Sequence, residues 1–260
     1  MSARAVRAWR LTGVLTVVFV VVMGGAQTLA LVARQERIEQ ETYTTPVHRL
    51  ELATTSAAVR ITAGAQGRVV VRKNLDWTVS EPQVRADVAG DTMTVGVTCR
   101  RSLPFYNCGA SIELEVPAGT AVSGSLTSGA VEVTGLTGEV RLNSTSGAIR
   151  LRRLSGPVVA DTTSGLVQGT DLASARADVA STSGAVDLAF TSAPHDVRVS
   201  TVSGGVTMAV PRGSHYRIDS RAGSGDSDID PALGDAASTN SLEAEVGSGS
   251  LRIGYRSGSE

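Results

Sequence analysis

The stretch TSGAIRLRRLSG, Thr145–Gly156, decides the fold. It joins a Ser-Gly pair to apolar residues in strict alternation, Ile149 and Leu151, and closes on a second Ser-Gly turn. Alternation with a period of two marks a strand with one buried face. The glycine supplies a corner where a side chain is not tolerated.

The same pattern recurs on both sides. Ser-Gly pairs end at Gly129, Gly147, Gly165, Gly184, Gly204, Gly225 and Gly249, in steps of 18, 18, 19, 20, 21 and 24 residues. Apolar residues follow at the second and fourth positions: Val131 and Val133, Val186 and Leu188, Val206 and Met208, Leu251 and Ile253. The copy at Gly165 is weaker, with Val167 followed by Gly169. A second alternating strand precedes each pair, for example Val140 and Leu142, or Val197 and Val199, and turns such as GLTG (Gly135–Gly138) join the strands.

A unit of strand, turn, strand and Ser-Gly corner cannot bury its apolar face alone. Stacked copies bury a continuous core. The predicted fold is therefore all-β: a β-solenoid, parallel β-helix-like, with rungs of 18–20 residues about 4.8 Å apart and with Val131, Ile149 and Val167 in one column. Continuing the alternation places Ser144 and Ser146, Thr162 and Ser164, Ser181 and Ser183, and Thr201 and Ser203 on the inward side, where their hydroxyls are expected to bond from rung to rung. The competing fold is an antiparallel meander or sandwich, which also has a turn signal every 8–12 residues.

Upstream, HRLELATTSAAVRITAGAQGRVVVRK (His48–Lys73) reads as three short strands and DVAGDTMTVGVTC (Asp87–Cys99) as a hairpin. SIELEVPAGT (Ser111–Thr120) matches GVTMAVPRGS (Gly205–Ser214) in alternation and in its Val-Pro-x-Gly turn. No linker separates this part from the repeats, so residues 46–256 are expected to form one domain. A solenoid's open end exposes unpaired strand edges, and LEAEV and SLRIGY near the C-terminus are the expected cap.

The N-terminus differs in kind. Arg4, Arg7 and Arg10 precede Leu11–Val32, a run without charge. As a helix it would be roughly 33 Å long, enough to cross a bilayer. The predicted organisation is a cytoplasmic N-terminus over 1–10, a single-pass transmembrane helix from Leu11 to Ala33, a juxtamembrane linker over 34–45, and an extracytoplasmic domain. A cleaved signal peptide, with Gly24 and Ala26 before the cut, is the alternative, although its apolar region usually spans only 7–15 residues.

Two cysteines, Cys99 and Cys108, bracket CRRSLPFYNC. An even count in an exported chain reads as a disulfide. Free buried thiols or half a metal site are the other readings, but no second Cys or His pair lies at zinc spacing. The loop between them carries Arg100, Arg101, Phe105 and Tyr106, and rings beside arginines suit a partner-binding loop. The same rings could instead cover an opening in the core.

These residues also carry a resemblance. LELATTSAAVRITAG, IELEVPAGT and the serial TSGAVEVTGLTGEVRLNSTSGAIRL resemble the "putative adhesin" or toastrack-like family, bacterial exported β-strand-repeat domains of unknown function. The resemblance covers about residues 45–255. It implies a membrane-linked solenoid at the outer face of the cell, in some members tied to envelope-stress sensing, and it brings no catalytic residues. The chain shows no cytoplasmic signalling domain, so a sensor role would need a partner.

Composition excludes little but directs the search. With 24 basic and 25 acidic residues there is no global pull toward nucleic acid. His48, His195 and His215 are scattered, and no Gly-x-Ser-x-Gly elbow is present. GSGDSDID (Gly223–Asp230) alternates Asp226, Asp228 and Asp230, which suggests calcium, yet such sites need tandem copies. A polysaccharide-active enzyme needs clustered carboxylates, whereas Glu132, Asp187 and Asp226 are spread among Thr, Arg and Ser. Aromatics make up only 3% of the chain. The expected function is therefore non-enzymatic, without cofactor or metal: adhesin-like surface binding or envelope sensing, with an unknown protein or cell-envelope component as partner. A structural or assembly role beside a membrane complex is the alternative.

Overall fold

A computed structural model describes residues 35–77, 80–98 and 108–256, together with Thr16. The strands are β1 (Gln35–Tyr43), β2 (Arg49–Gly64), β3 (Val69–Trp77), β4 (Gln83–Ala89), β5 (Thr92–Thr98), β6 (Cys108–Pro117), β7 (Ala121–Thr134) and β8 (Val140–Arg152). They continue with β9 (Val158–Leu172), β10 (Arg176–Phe190), β11 (Asp196–Ser203), β12 (Val206–Val210), β13 (Arg217–Ser224), β14 (Ser227–Ile229), β15 (Ser241–Ser248) and β16 (Leu251–Tyr255). All of them belong to one long sheet.

The repeat produces the sheet directly. From β7 to β10 each unit is one long strand bent at its Ser-Gly pair, and neighbouring units pair in parallel along both arms. Val131 faces Ile149 and Ile149 faces Val167, so the column predicted from the sequence is present. It continues through Val186, Val206 and Leu251, all of them buried. Leu136 and Leu154 close the core from the turns and are fully buried. The turn backbones stack as well: Ser155 N donates to Leu136 O, and Ala173 N to Leu154 O.

The corner explains its own residue. Gly147, Gly165, Gly184 and Gly204 have φ of 150°, 148°, 153° and 147°, a conformation that L side chains rarely adopt. A Cβ built on any of them would collide with the carbonyl oxygen of the corner glycine one rung before. Backbone packs directly on backbone there, and only glycine fits both conditions.

The weak copy has a local remedy. Gly169 stands in the column of Leu151 and Leu188, and the space its missing side chain leaves is taken by Leu172. The register shifts at that point, beside Asp171 with φ of 54°. The irregular copy is thus a bulge that delivers a leucine from three residues on.

At the ends several expectations are corrected. His48–Lys73 forms two strands, not three: β2 runs unbroken for 16 residues, and β3 contains Val69–Lys73. The expected hairpin is present as β4–β5. The stretch 34–45, expected as a linker, supplies β1, which pairs antiparallel with β3 along its whole length. β3 in turn pairs antiparallel with β6. The uniform parallel pairing therefore gives way to antiparallel strands at this end.

The expected cap is also corrected. β15 lies between β11 and β13, and β16 between β12 and β14. LEAEV and SLRIGY are interior strands, and the outermost rung is β13–β14, which precedes them in sequence. The reason lies in their inward positions. β15 offers Leu242, Ala244 and Val246, all buried, whereas β13 offers Ile218, Ser220 and Ala222. The more apolar rung takes the covered place.

The inward serines are half right. Ser144, Thr162, Ser181 and Thr201 are buried in one column, but Ser146, Ser164, Ser183 and Ser203 face solvent, because the corner glycine resets the pleat. The expected rung-to-rung hydroxyl bonds are absent: Thr162 Oγ1, Ser181 Oγ and Thr201 Oγ1 are buried without a hydrogen-bond partner.

The predicted transmembrane segment, Leu11 to Ala33, lies outside the described residues except for Thr16. Among the described residues no helix is long and apolar enough to cross a membrane.

Candidate functional site

The bend that makes each corner leaves a groove beside it on the outer surface. The groove has a volume of about 430 Å³ and crosses the strands from β7 to β11. Four steps of about 4.8 Å give it a length of roughly 19 Å. Its wall is built from positions in register. Ser125, Asn143, Asp161, Ala180 and Ser200 are successive partners on one side. On the other side Thr145, Thr163 and Thr182 each precede the serine of a Ser-Gly pair, and Val202 takes that place in β11. Val202 is 65% exposed, an apolar end to a hydroxyl row.

Asp161 is the one ionisable group of the lining, which is otherwise Ser, Thr and Asn with Leu126, Ala180 and Val202. Partial burial pushes the Asp161 carboxyl above its ordinary range; the charge of Asp178 adds to this, and Arg141 works against it. Arg141 is itself held by Glu139 at 2.7 Å. The sequence does carry a signal for this groove: Thr-Ser-Gly occurs at 127–129, 145–147, 163–165 and 182–184. The inward alternation does not include it, because these threonines are exposed.

The residues singled out from sequence fall elsewhere. Cys99, Arg100, Arg101, Phe105 and Tyr106 lie outside the described residues, and so does the bond expected between Cys99 and Cys108. Cys108 opens β6 opposite Trp77. The ends of that loop are informative. β5 pairs with the first arm of β2 and β6 with its second arm, so Thr98 and Cys108 leave and rejoin the sheet beside the Thr55–Ala57 corner. Thr55 Oγ1 donates to Val97 O there at 3.4 Å.

Candidate chemistry elsewhere is dispersed. Asp228 pairs with Arg252 at 3.6 Å, Asp230 caps a 3-10 turn by accepting from Ala232 N at 3.0 Å, and Asp226 precedes β14. Glu132 is tied to Arg60 and Arg152 at 3.5 and 3.3 Å, in a ladder of ion pairs across rungs. His195 Nδ1 lies 2.9 Å from Asn240 Oδ1. Among the described residues no group of three or more His, Cys, Asp or Glu is placed to hold a metal ion.

At the N-terminal end Lys73, nearly buried, donates to Glu41 at 2.6 Å, and Tyr43 donates to the same carboxylate at 2.5 Å. The bond from Lys73, then that from Tyr43, holds Glu41 below the ordinary carboxylate range. Burial, reinforced by Glu41, pushes the Tyr43 hydroxyl up to about 12. This cluster locks β1 onto β3.

No curated protein sequence matches the chain. Among solved structures it is similar to a "putative cell adhesion protein" from Clostridium sporogenes, at 14% identity and a TM-score of 0.42, covering 85% of this chain and 100% of that one. It is similar also to a "putative adhesin" from Bacteroides fragilis, at 14% identity and a TM-score of 0.42, covering 84% and 97%. A third, from Parabacteroides merdae and carrying the same description, has 10% identity and a TM-score of 0.41 over 84% and 97%. The family profile named Toastrack DUF4097 matches residues 47–260, most of the chain. The chain belongs to that family.

Proposed function

We propose that the chain is a membrane-anchored extracytoplasmic module that acts by surface contact, as an adhesin-like binder or an envelope sensor, and that its contact surface is the hydroxyl-lined groove across β7–β11. The observation that carries this reading is the groove itself: five strands present outward Ser, Thr, Asn and Asp side chains in register. A surface that repeats every rung suits a ligand that repeats too. The fitting class is a linear, polar, largely uncharged polymer lying across the strands, such as an envelope glycan, bound through hydroxyl and amide hydrogen bonds. The loop with Arg100, Arg101, Phe105 and Tyr106 stays the candidate partner-binding loop in the same reading, on the ground of its rings beside arginines.

In this reading the anchor over 11–33 precedes β1 in sequence, and the β1 end of the sheet faces the membrane. Protease treatment of intact cells tests that orientation: cleavage of the domain is expected, and full protection would overturn it. The enzyme reading lacks support from geometry, because Glu132 stands on β7, Asp187 on β10 and Asp226 in the turn before β14, and Glu132 is committed to ion pairs.

The binding test uses the full chain in nanodiscs and purified cell-envelope glycan. Thr145→Arg with Thr163→Arg fills the groove with charge and bulk, and binding should be lost. Thr207→Arg, on the exposed side of β12 away from the groove, should leave it unchanged. Equal binding by both variants would remove the groove from the proposal.

A further inference from the structure

We infer that the outer edge of β13 is a self-pairing surface, through which two copies of this chain join antiparallel about a two-fold axis at Ser220. β13 ends the sheet: among the described residues only β15 pairs with it. Its backbone alternates in direction. Arg217 N donates inward to Asn240 O, while Tyr216 N donates outward to Leu233 O, and Tyr216 O accepts from Asp235 N. The 233–235 segment therefore covers the start of the outer edge. Beyond it, the amides and carbonyls of Ile218, Ser220 and Ala222 share the outward direction of Tyr216 and meet no further strand.

Edge charges normally prevent pairing, because most registers set like charges opposite one another. On β13 they admit only registers centred on Ile218 or Ser220, and the first is blocked because it would need the outward groups of Tyr216, already taken by the 233–235 segment. The solvent face reads Arg217, Asp219, Arg221. An antiparallel partner centred on Asp219 sets Asp219 against itself and Arg217 against Arg221. Centred on Ser220, Asp219 of each copy faces Arg221 of the other, as a non-hydrogen-bonded pair where side chains approach closest. The same register sets Ile218 opposite Ala222, and Ser220 opposite itself, as hydrogen-bonded pairs that use the outward backbone groups. The contact is isologous, as a closed dimer requires. Within one copy Asp219 and Arg221 already lie 3.5 Å apart and are largely exposed, at 61% and 68%, so the pair is free to exchange partners. Pairing also covers Ile218, Ser220 and Ala222, the inward positions that the end of the stack leaves open.

The test is Ser220→Cys in the full chain held in nanodiscs, under mild oxidation. A hydrogen-bonded antiparallel pair sets the two Cα atoms about 5.5 Å apart, within the range of about 4.4–6.8 Å that a disulfide needs. A covalent dimer is expected as the main product, well above that of Ser192→Cys, placed on an exposed turn. Adding Asp219→Arg should abolish it, and the exchange Asp219→Arg with Arg221→Asp should restore it. No crosslink above the turn control, or a crosslink indifferent to the charges, would overturn the inference. So would a crosslink to a different protein.

Discussion

The middle rungs and the end rungs obey different rules. From β7 to β10, order in sequence is order in space: each strand lies on the one before it, with Gly147 on Gly129 and Gly165 on Gly147. At both ends that order breaks. β2, an early strand, lies between β7 and the later pair β5 and β6, and β15–β16, the last strands, slide inside β13–β14. In the middle the repeat alone dictates the neighbour, since every rung offers an equivalent face. At the ends the rungs are unequal, and burial decides which strand is covered.

The largest loss of stability is expected at a middle corner. Gly165→Val places a side chain where φ is 148° and where the Gly147 carbonyl already stands. Strain and collision together should cost about 4 kcal/mol or more, enough to prevent a cooperative transition near the parent Tm. Gly254→Ala, in β16, meets no atom within 4 Å and has no positive φ, so its melting curve should be almost unchanged. Equal losses at the two positions would show that backbone stacking is not what demands glycine at the corner.

Core truncation tests the same contrast by packing. Ile149 is fully buried in the central column, and Ile149→Ala should cost about 2–5 kcal/mol by denaturant unfolding. Ile218→Ala removes the same atoms from a half-exposed site on the outermost rung, where the loss should be about 1 kcal/mol or less. If Ile218→Ala proved as costly as Ile149→Ala, β13 would already be covered by a partner in solution, which ties this measurement to the pairing proposed for its edge.

The contrast also shows where the sequence was readable. The rung column at Val131, Ile149 and Val167 was legible because alternation and period agree, and backbone stacking leaves no freedom of register. The insertion of β15 beneath β13 was not, because strand order depends on comparing two inward faces, Leu242–Val246 and Ile218–Ala222, that periodicity treats as equivalent. β1 was missed for a related reason. Gln35–Tyr43 shows no apolar alternation; it holds to β3 by ladder bonds and by the Lys73–Glu41 contact, neither of which a hydropathy pattern records. The groove was missed although Thr-Ser-Gly is plain in the sequence, since the outward side of a bend becomes concave only once the bend is known.

A smaller effect, of opposite sign, belongs to the buried hydroxyls. Thr162 Oγ1 is buried without a partner, so Thr162→Val keeps the shape and removes an unsatisfied polar atom. Stability should rise by about 1 kcal/mol. Thr120 is the control: it is equally buried but donates to Val47 O at 3.2 Å, so Thr120→Val should lose about 1 kcal/mol. A loss at Thr162 would mean that its hydroxyl has a partner after all, such as an internal water.

The finest distinction concerns charge within the groove. Asp161 has its carboxyl raised, first by partial burial and then by Asp178, so the folded chain holds that proton more firmly than the unfolded chain does. The sign follows from linkage: the ionised form is penalised in the fold, and stability falls as pH rises from the ordinary carboxylate range through the raised value. Asp161→Asn removes the penalty. At pH 7 the variant should melt slightly above the parent, and below about pH 3, where both states of the parent are protonated, the gap should close. Solvent screening of a group at the surface keeps the effect small. Glu41 supplies the reverse case in the same titration. Lys73 and Tyr43 lower its value, so its contribution is present above the ordinary carboxylate range and is lost as pH falls through the lowered one. Glu41→Gln should therefore melt below the parent at pH 7 and approach it in acid. Two carboxylates, one in the regular middle and one at the antiparallel end, should thus give melting differences of opposite sign at neutral pH that both shrink on acidification; differences of like sign would mean that one of the two environments is described wrongly.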